Sequence, residues 1–147
     1  MVGGAIGLVG GWLGPSLVER RKEAAEKKRI RAEKFEEMVT AIYEFDDWLN
    51  RKENIQVFGG EEKLGSSPFA KMEAISAVYF PEFMEKTEEL QKAVRNYELW
   101  MSKAWKKRVD GEIDKVNEGL LDVFNPYKDR RKELLKGLRN YASKNFQ

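Results

Sequence analysis

The chain has no cysteine and no histidine. Without cysteine there is no disulfide framework, no thiol nucleophile and no thiolate metal site. Without histidine the usual acid/base group at neutral pH is missing, together with the commonest metal ligand. Carboxylates, lysine and tyrosine can still move protons, but none of them stands at a spacing that would build such a site. Asp46 and Asp47 are adjacent, so on a helix they point about 100° apart. A ferritin-like di-metal centre needs Glu-x-x-His pairs on two helices, and the histidines for it are absent. No cofactor, no metal and no enzymatic activity are expected.

Other absences narrow the fold. No internal repeat, no low-complexity tract and no apolar/polar alternation of period two occurs, so strands have no support and the expected class is all-α. Net charge is only +2. Hydrophobic residues make up 41%, enough for a modest core, and charged residues 35%, a share typical of long solvated helices. The length, 147 residues, fits one domain with an appendage.

Long uncharged runs are also scarce, with one exception that organises the rest. Val2 to Val18 reads VGGAIGLVGGWLGPSLV, without a charge. Gly3, Gly7 and Gly11 recur every fourth residue and Gly14 follows, a smooth stripe on a helix, with Ile6, Val9, Leu13 and Leu17 on another face. Small residues at this spacing let transmembrane helices approach closely. In water each glycine would instead cost a helix about 1 kcal/mol against alanine. Residues 1–18 are therefore read as a membrane anchor. Their span is short, about 26 Å at 1.5 Å per residue, against about 30 Å of hydrocarbon. The competing reading is an apolar arm packed on protein. A basic n-region and an A-x-A cleavage site are both missing, which argues against a cleaved signal peptide.

Residues 19–34 read ERRKEAAEKKRIRAEK, with eight basic and four acidic side chains. Arg20, Arg21, Lys22, Lys27, Lys28, Arg29 and Arg31 form a collar suited to anionic lipid headgroups. The positive-inside rule then puts the C-terminal side in the cytoplasm. Nucleic acid is disfavoured as the partner of this run, because Glu19, Glu23, Glu26 and Glu33 are interleaved with it. Glu23 and Lys27 are four apart and support an exposed helix. Residues 35–125 are net −7 and residues 126–147 net +5, so an acidic middle lies between two basic ends. The basic ends either pair with the middle or face an anionic surface.

Residues 35–147 read as a helical bundle. Phe35, Met38, Val39, Ile42, Phe45 and Leu49 keep helical spacing, with Tyr43 and Trp48 beside them, in a first helix from about Ser16 to Asn50. Residues 51–67 lose that periodicity and read as a loop. Within it GEEKLGSS superficially resembles a phosphate-binding loop, but Ser66 stands where the lysine belongs. Ser67 and Pro68 open a short helix as N-cap and first-turn proline, with Phe69, Met72, Ile75, Val78 and Tyr79 as its apolar side. Phe80–Pro81 is a corner. Phe83, Thr87, Leu90, Val94, Tyr97, Met101 and Ala104 then follow a 3.5-residue repeat, the seam of a bundle. Val109, Ile113, Val116, Leu120 and Phe124 continue it after a phase shift at Gly111, where the helix bends or breaks. Trp100 and Trp105 flank the seam among lysines; core packing is the first reading for them and a candidate partner surface the second. Asn125–Pro126 opens the last helix, with Tyr127, Leu134, Leu135, Leu138, Tyr141, Ala142 and Phe146 on one side.

The expected architecture is an antiparallel bundle of three long helices and one short one, carried on a basic stalk. The expected function is a membrane-tethered, non-enzymatic interaction or scaffold protein. It would self-associate as a homo-oligomer or recruit a protein partner, with no small-molecule substrate. The alternative is a pore- or lesion-forming oligomer assembled through the glycine stripe.

Overall fold

Four α-helices and two short 3₁₀ turns make up the structure, a computed structural model that describes residues 7–146 and the side chains of residues 16–146. Helix α1 is Gly7–Phe58, α2 is Phe69–Tyr79, α3 is Met84–Val109 and α4 is Leu120–Asn145, with 3₁₀ turns at Pro81–Phe83 and Ile113–Lys115. No strand occurs among the described residues. The chain divides into two units, Met1–Phe35 and Glu36–Gln147.

In the first unit the described residues are helical from Gly7 on, and residues 17–29 are all exposed. Arg29 is clamped along the helix by Glu26, one turn back at 2.6 Å, and by Glu33, one turn ahead. These ion pairs at three- and four-residue spacing suit a solvated helix.

The second unit holds the core. Met38, Ala41, Ile42, Phe45, Trp48 and Leu49 of α1 are buried at helical spacing. The α3 seam is buried as its repeat predicts, from Phe83 through Thr87, Leu90, Val94, Tyr97 and Met101 to Ala104. Cross-helix bonds give the directions. Glu53 meets Tyr97 and Gln56 meets Ser102, so within this unit α1 and α3 run parallel. Phe83 lies against Tyr141 and Tyr97 against Tyr127, so α4 runs antiparallel to α3. Helices α1 and α3 up and α4 down give the up-and-down arrangement of a helical bundle.

Two boundaries differ from the sequence reading, and a third holds while the seam beyond it does not. First, α1 does not end near Asn50 but continues to Phe58. Residues 51–58 lack an apolar stripe because polar side chains hold them: Lys52 pairs with Glu98 at 2.5 Å, and Arg108 donates to the Val57 carbonyl at 3.1 Å. The helix stops at Gly59, whose φ of +77° is left-handed and whose N–H bonds the Ile55 carbonyl at 3.2 Å. That is a glycine C-cap. Gly59→Ala is expected to cost about 1–2 kcal/mol, the penalty of the left-handed region, and Gly59→Asn clearly less, because asparagine tolerates it. Urea midpoints of the two variants check this. Equal losses would mean that crowding against Arg108, whose Nη1 would lie 2.6 Å from the added Cβ, sets the cost instead.

Second, the helix does break at Gly111. Its φ is +79°, the Glu112 N–H reaches the Lys107 carbonyl at 2.9 Å and the Gly111 N–H the Arg108 carbonyl at 3.1 Å. This paired pattern is a Schellman ending. The seam does not carry across it: Val109 is 63% and Ile113 62% exposed, while Val116 is buried.

Third, α4 begins at Leu120, so Pro126 lies inside the helix rather than at its start. A proline there removes one backbone hydrogen bond. Phe124, with its ring 6.0 Å from that of Tyr97, gives the extra turn a packing partner on α3. The short helix matches its signal more closely. The Ser67 hydroxyl accepts from the Phe69 N–H at 3.2 Å, as an N-cap should. Phe69, Met72 and Ile75 are buried, but Val78 is 71% exposed and does not belong to the apolar side.

Candidate functional site

Where α1, α3 and α4 meet, the core carries a layer of tyrosines and carboxylates. The Tyr97 hydroxyl donates to Glu53 at 2.6 Å, and the Tyr127 hydroxyl donates to Asp46 at 2.7 Å. The two phenol rings lie 5.8 Å apart. Arg131 Nε is 3.5 Å from the same Asp46 oxygen, an ion pair without hydrogen-bond geometry, and its guanidinium lies over the Tyr43 ring at 5.2 Å. Burial, and then the hydrogen bond to Glu53, pushes the Tyr97 hydroxyl above the ordinary tyrosine range. Burial and the bond to Asp46 do the same for Tyr127. Both phenols therefore stay protonated donors, the opposite of what a tyrosine base requires. The layer fixes which helix faces meet.

Asp46 and Asp47 diverge as neighbours on a helix should: Asp46 turns inward to Tyr127, and Asp47 pairs with Arg51 at 3.1 Å on the exposed side. Among the described residues no group of three or more acidic side chains could hold a metal ion. The loop over residues 59–67 is pinned by Trp48, whose indole N–H donates to the Gly65 carbonyl at 2.9 Å.

The two tryptophans beside the α3 seam have different fates. Trp100 is only 6% exposed, and its indole N–H donates to the Glu118 carbonyl at 2.9 Å, closing the loop before α4. It packs in the core, the first of the two readings its spacing allows. Trp105 is 51% exposed, as is much of Val109 one turn on. Helical spacing places both tryptophans beside the seam, but it does not say on which side the following loop folds back.

The expected collar residues are helical. Arg20, Arg21, Lys22, Lys27, Lys28 and Arg29 are exposed and Arg31 half-buried. Arg29 is committed to Glu26 and Glu33, so it is less available to a headgroup than the sequence alone suggests. Of the glycine stripe, Gly3 lies outside the described residues, while Gly7, Gly11 and Gly14 stand within α1. Leu17 and Val18 follow, 54% and 52% exposed. Among the described residues no helix is long and apolar enough to cross a membrane. The uncharged stretch that falls in α1, residues 7–18, covers about 18 Å.

A second basic surface reads from the sequence only as a solvated or acid-pairing face. On α4, Arg130 pairs with Glu133 at 2.9 Å and Glu89 at 3.3 Å, and Arg131 pairs with Asp46. Lys128, Lys132, Lys136 and Arg139 share the neighbouring flank and have no ion pair among the described residues.

No family model, curated protein or solved structure matches the chain.

Proposed function

We propose that the chain is a membrane-associated, non-enzymatic interaction protein. Its N-terminal segment inserts into a bilayer, its basic collar meets anionic headgroups on the cytoplasmic side, and its helical bundle recruits a partner or a second copy. The observation that carries this reading is the junction at Val18. An uncharged, glycine-striped stretch passes directly into a helix, exposed through residue 29, in which eight basic side chains stand against four acidic ones. Exposed Leu17 and Val18 support it, since apolar side chains at that junction are covered by lipid or by protein rather than by the helix itself. The inward-facing tyrosine–carboxylate layer supports a scaffold rather than a catalyst. Exposed Trp105 is the candidate anchor for a partner, being a large aromatic of the kind that dominates interfaces.

Membrane partition of the intact chain, set beside a chain starting at Glu19, tests the reading. The intact chain is expected to stay with the membrane through high salt and carbonate, and the shortened one to leave it. An intact chain that is soluble without detergent overturns the insertion and turns the search to a protein that covers Val2–Val18. The glycine stripe also fits a membrane-active oligomer, because Gly7 and Gly11 share one face of α1. A large assembly in detergent, with dye leakage from liposomes, would favour that second reading over a lone tether.

A further inference from the structure

We propose that the outer flank of α4 is a binding site for a small ligand bearing several phosphate groups. Lys128, Lys132 and Lys136 repeat every fourth residue and stand above one another on the helix, with Arg139 completing the row. They line a groove of about 410 Å³, together with Leu135 and Arg131. That volume lies within the range of small-molecule sites, about 300–1,000 Å³.

The charge pattern on α4 singles this flank out. Arg130 and Arg131 each have a carboxylate partner, whereas the four cations of the row have none among the described residues. Glu133, the acidic residue nearest in sequence to Lys132, is taken by Arg130. Like charges four residues apart on a helix repel and destabilise it. Asp129 and Glu133 stand three residues before Lys132 and Lys136, but neither forms an ion pair with the row among the described residues, so its excess positive charge carries a cost that a bound anion would reduce. Neighbouring cations in such a row are about 5–6 Å apart at Cβ, so a single carboxylate or sulfate can answer only one or two of them. Several phosphates on one small frame answer all four. Lysine serves phosphate as a point charge and arginine as a bidentate fork, and the half-buried Leu135 offers an apolar contact to the frame that carries them.

The site does not depend on membrane insertion, since every residue in it belongs to the second unit. The test is titration calorimetry of the full chain with inositol hexakisphosphate. One saturable site is expected. Lys132→Glu with Lys136→Glu should weaken it about tenfold or more. Lys132→Gln with Lys136→Gln should weaken it less, with circular dichroism unchanged in both. Charge reversal in the collar, Lys27→Glu with Lys28→Glu, should leave this affinity unchanged while reducing membrane partition, so the two readings fail separately. Vesicles containing phosphatidylinositol bisphosphate that displace the soluble probe would identify the source as a lipid headgroup. Vesicles that do not displace it would identify a free phosphorylated metabolite. Absence of saturable binding, equal affinity in the α4 variants, or equally tight competition by a polyglutamate peptide would overturn the proposal.

Discussion

Replacing Phe80 with alanine is expected to cost about 3–5 kcal/mol of stability, the usual loss for a fully buried phenylalanine. For a chain of this size that lowers the thermal midpoint by about 10–16 °C. Phe80 is 0% exposed, and its ring packs edge-on to Tyr141 at 5.6 Å. It stands at the corner between α2 and the 3₁₀ turn, with φ −138° and ψ 60°. Its backbone is fully committed: the N–H bonds the Ser76 carbonyl at 3.0 Å, and the carbonyl accepts from Phe83 at 2.9 Å. A corner held at both backbone groups cannot slide inward to fill the space a ring leaves. Phe80→Leu should therefore recover much of the loss. Thermal melts followed by circular dichroism check this, and a loss below about 1 kcal/mol would mean that the corner collapses onto the cavity after all.

Asp46→Ala is expected to be the other severe change. It strips the buried Tyr127 hydroxyl of its acceptor, at about 1–3 kcal/mol for the orphaned donor. It also takes from Arg131 the carboxylate that lies 3.5 Å away. Tyr127→Phe, which leaves Asp46 still facing Arg131, should cost less, about 1 kcal/mol. Combined, the two changes should cost less than the sum of the single ones, because the double variant no longer has a hydroxyl to orphan. Strict additivity would show that the Tyr127–Asp46 bond contributes nothing of its own. The same bond has a pH signature. Burial and the neighbouring carboxylates raise both Tyr97 and Tyr127 in the folded state. The folded protein thus keeps these protons to higher pH than the unfolded chain does. The stability they contribute is complete below the ordinary tyrosine value, about pH 10, and is lost as the pH climbs above it. Urea unfolding across that alkaline window should fall more gently for Tyr127→Phe than for the parent. Identical slopes would remove Tyr127 from the account.

Much of the fold is legible because apolar spacing decides it. The α3 seam from Phe83 to Ala104 can be read residue by residue, and Ser67, Pro68 and Gly111 mark their boundaries by capping chemistry. What stays hidden is decided by partners far along the chain. Residues 51–58 look like a loop because Lys52, Glu53 and Gln56 are polar, yet Glu98, Tyr97 and Ser102 on α3 are what keep them helical. Pro126 reads as a start signal, and only the packing of Phe124 on Tyr97 shows that the helix has begun six residues earlier. Trp100 and Trp105 are nearly alike in sequence context, and the return of Glu118 onto one of them separates core from surface. The lysines of α4 are visible in the sequence as a basic face. That their neighbours Arg130 and Arg131 have found acids and they have not can only come from coordinates.

The up-and-down order of the helices has a consequence for how the chain is made. Met38, Ile42, Phe45 and Leu49 leave the ribosome early, but one side of the core they enter is supplied by Tyr127, Leu134 and Leu138. The bond from Tyr127 to Asp46 bridges 81 residues. At about 5–20 residues per second, α1 waits for seconds with that apolar stripe uncovered, and the bundle closes only when synthesis of α4 is nearly done. A nascent chain caught before Tyr127, with that stripe still uncovered, should therefore be far stickier than the finished protein.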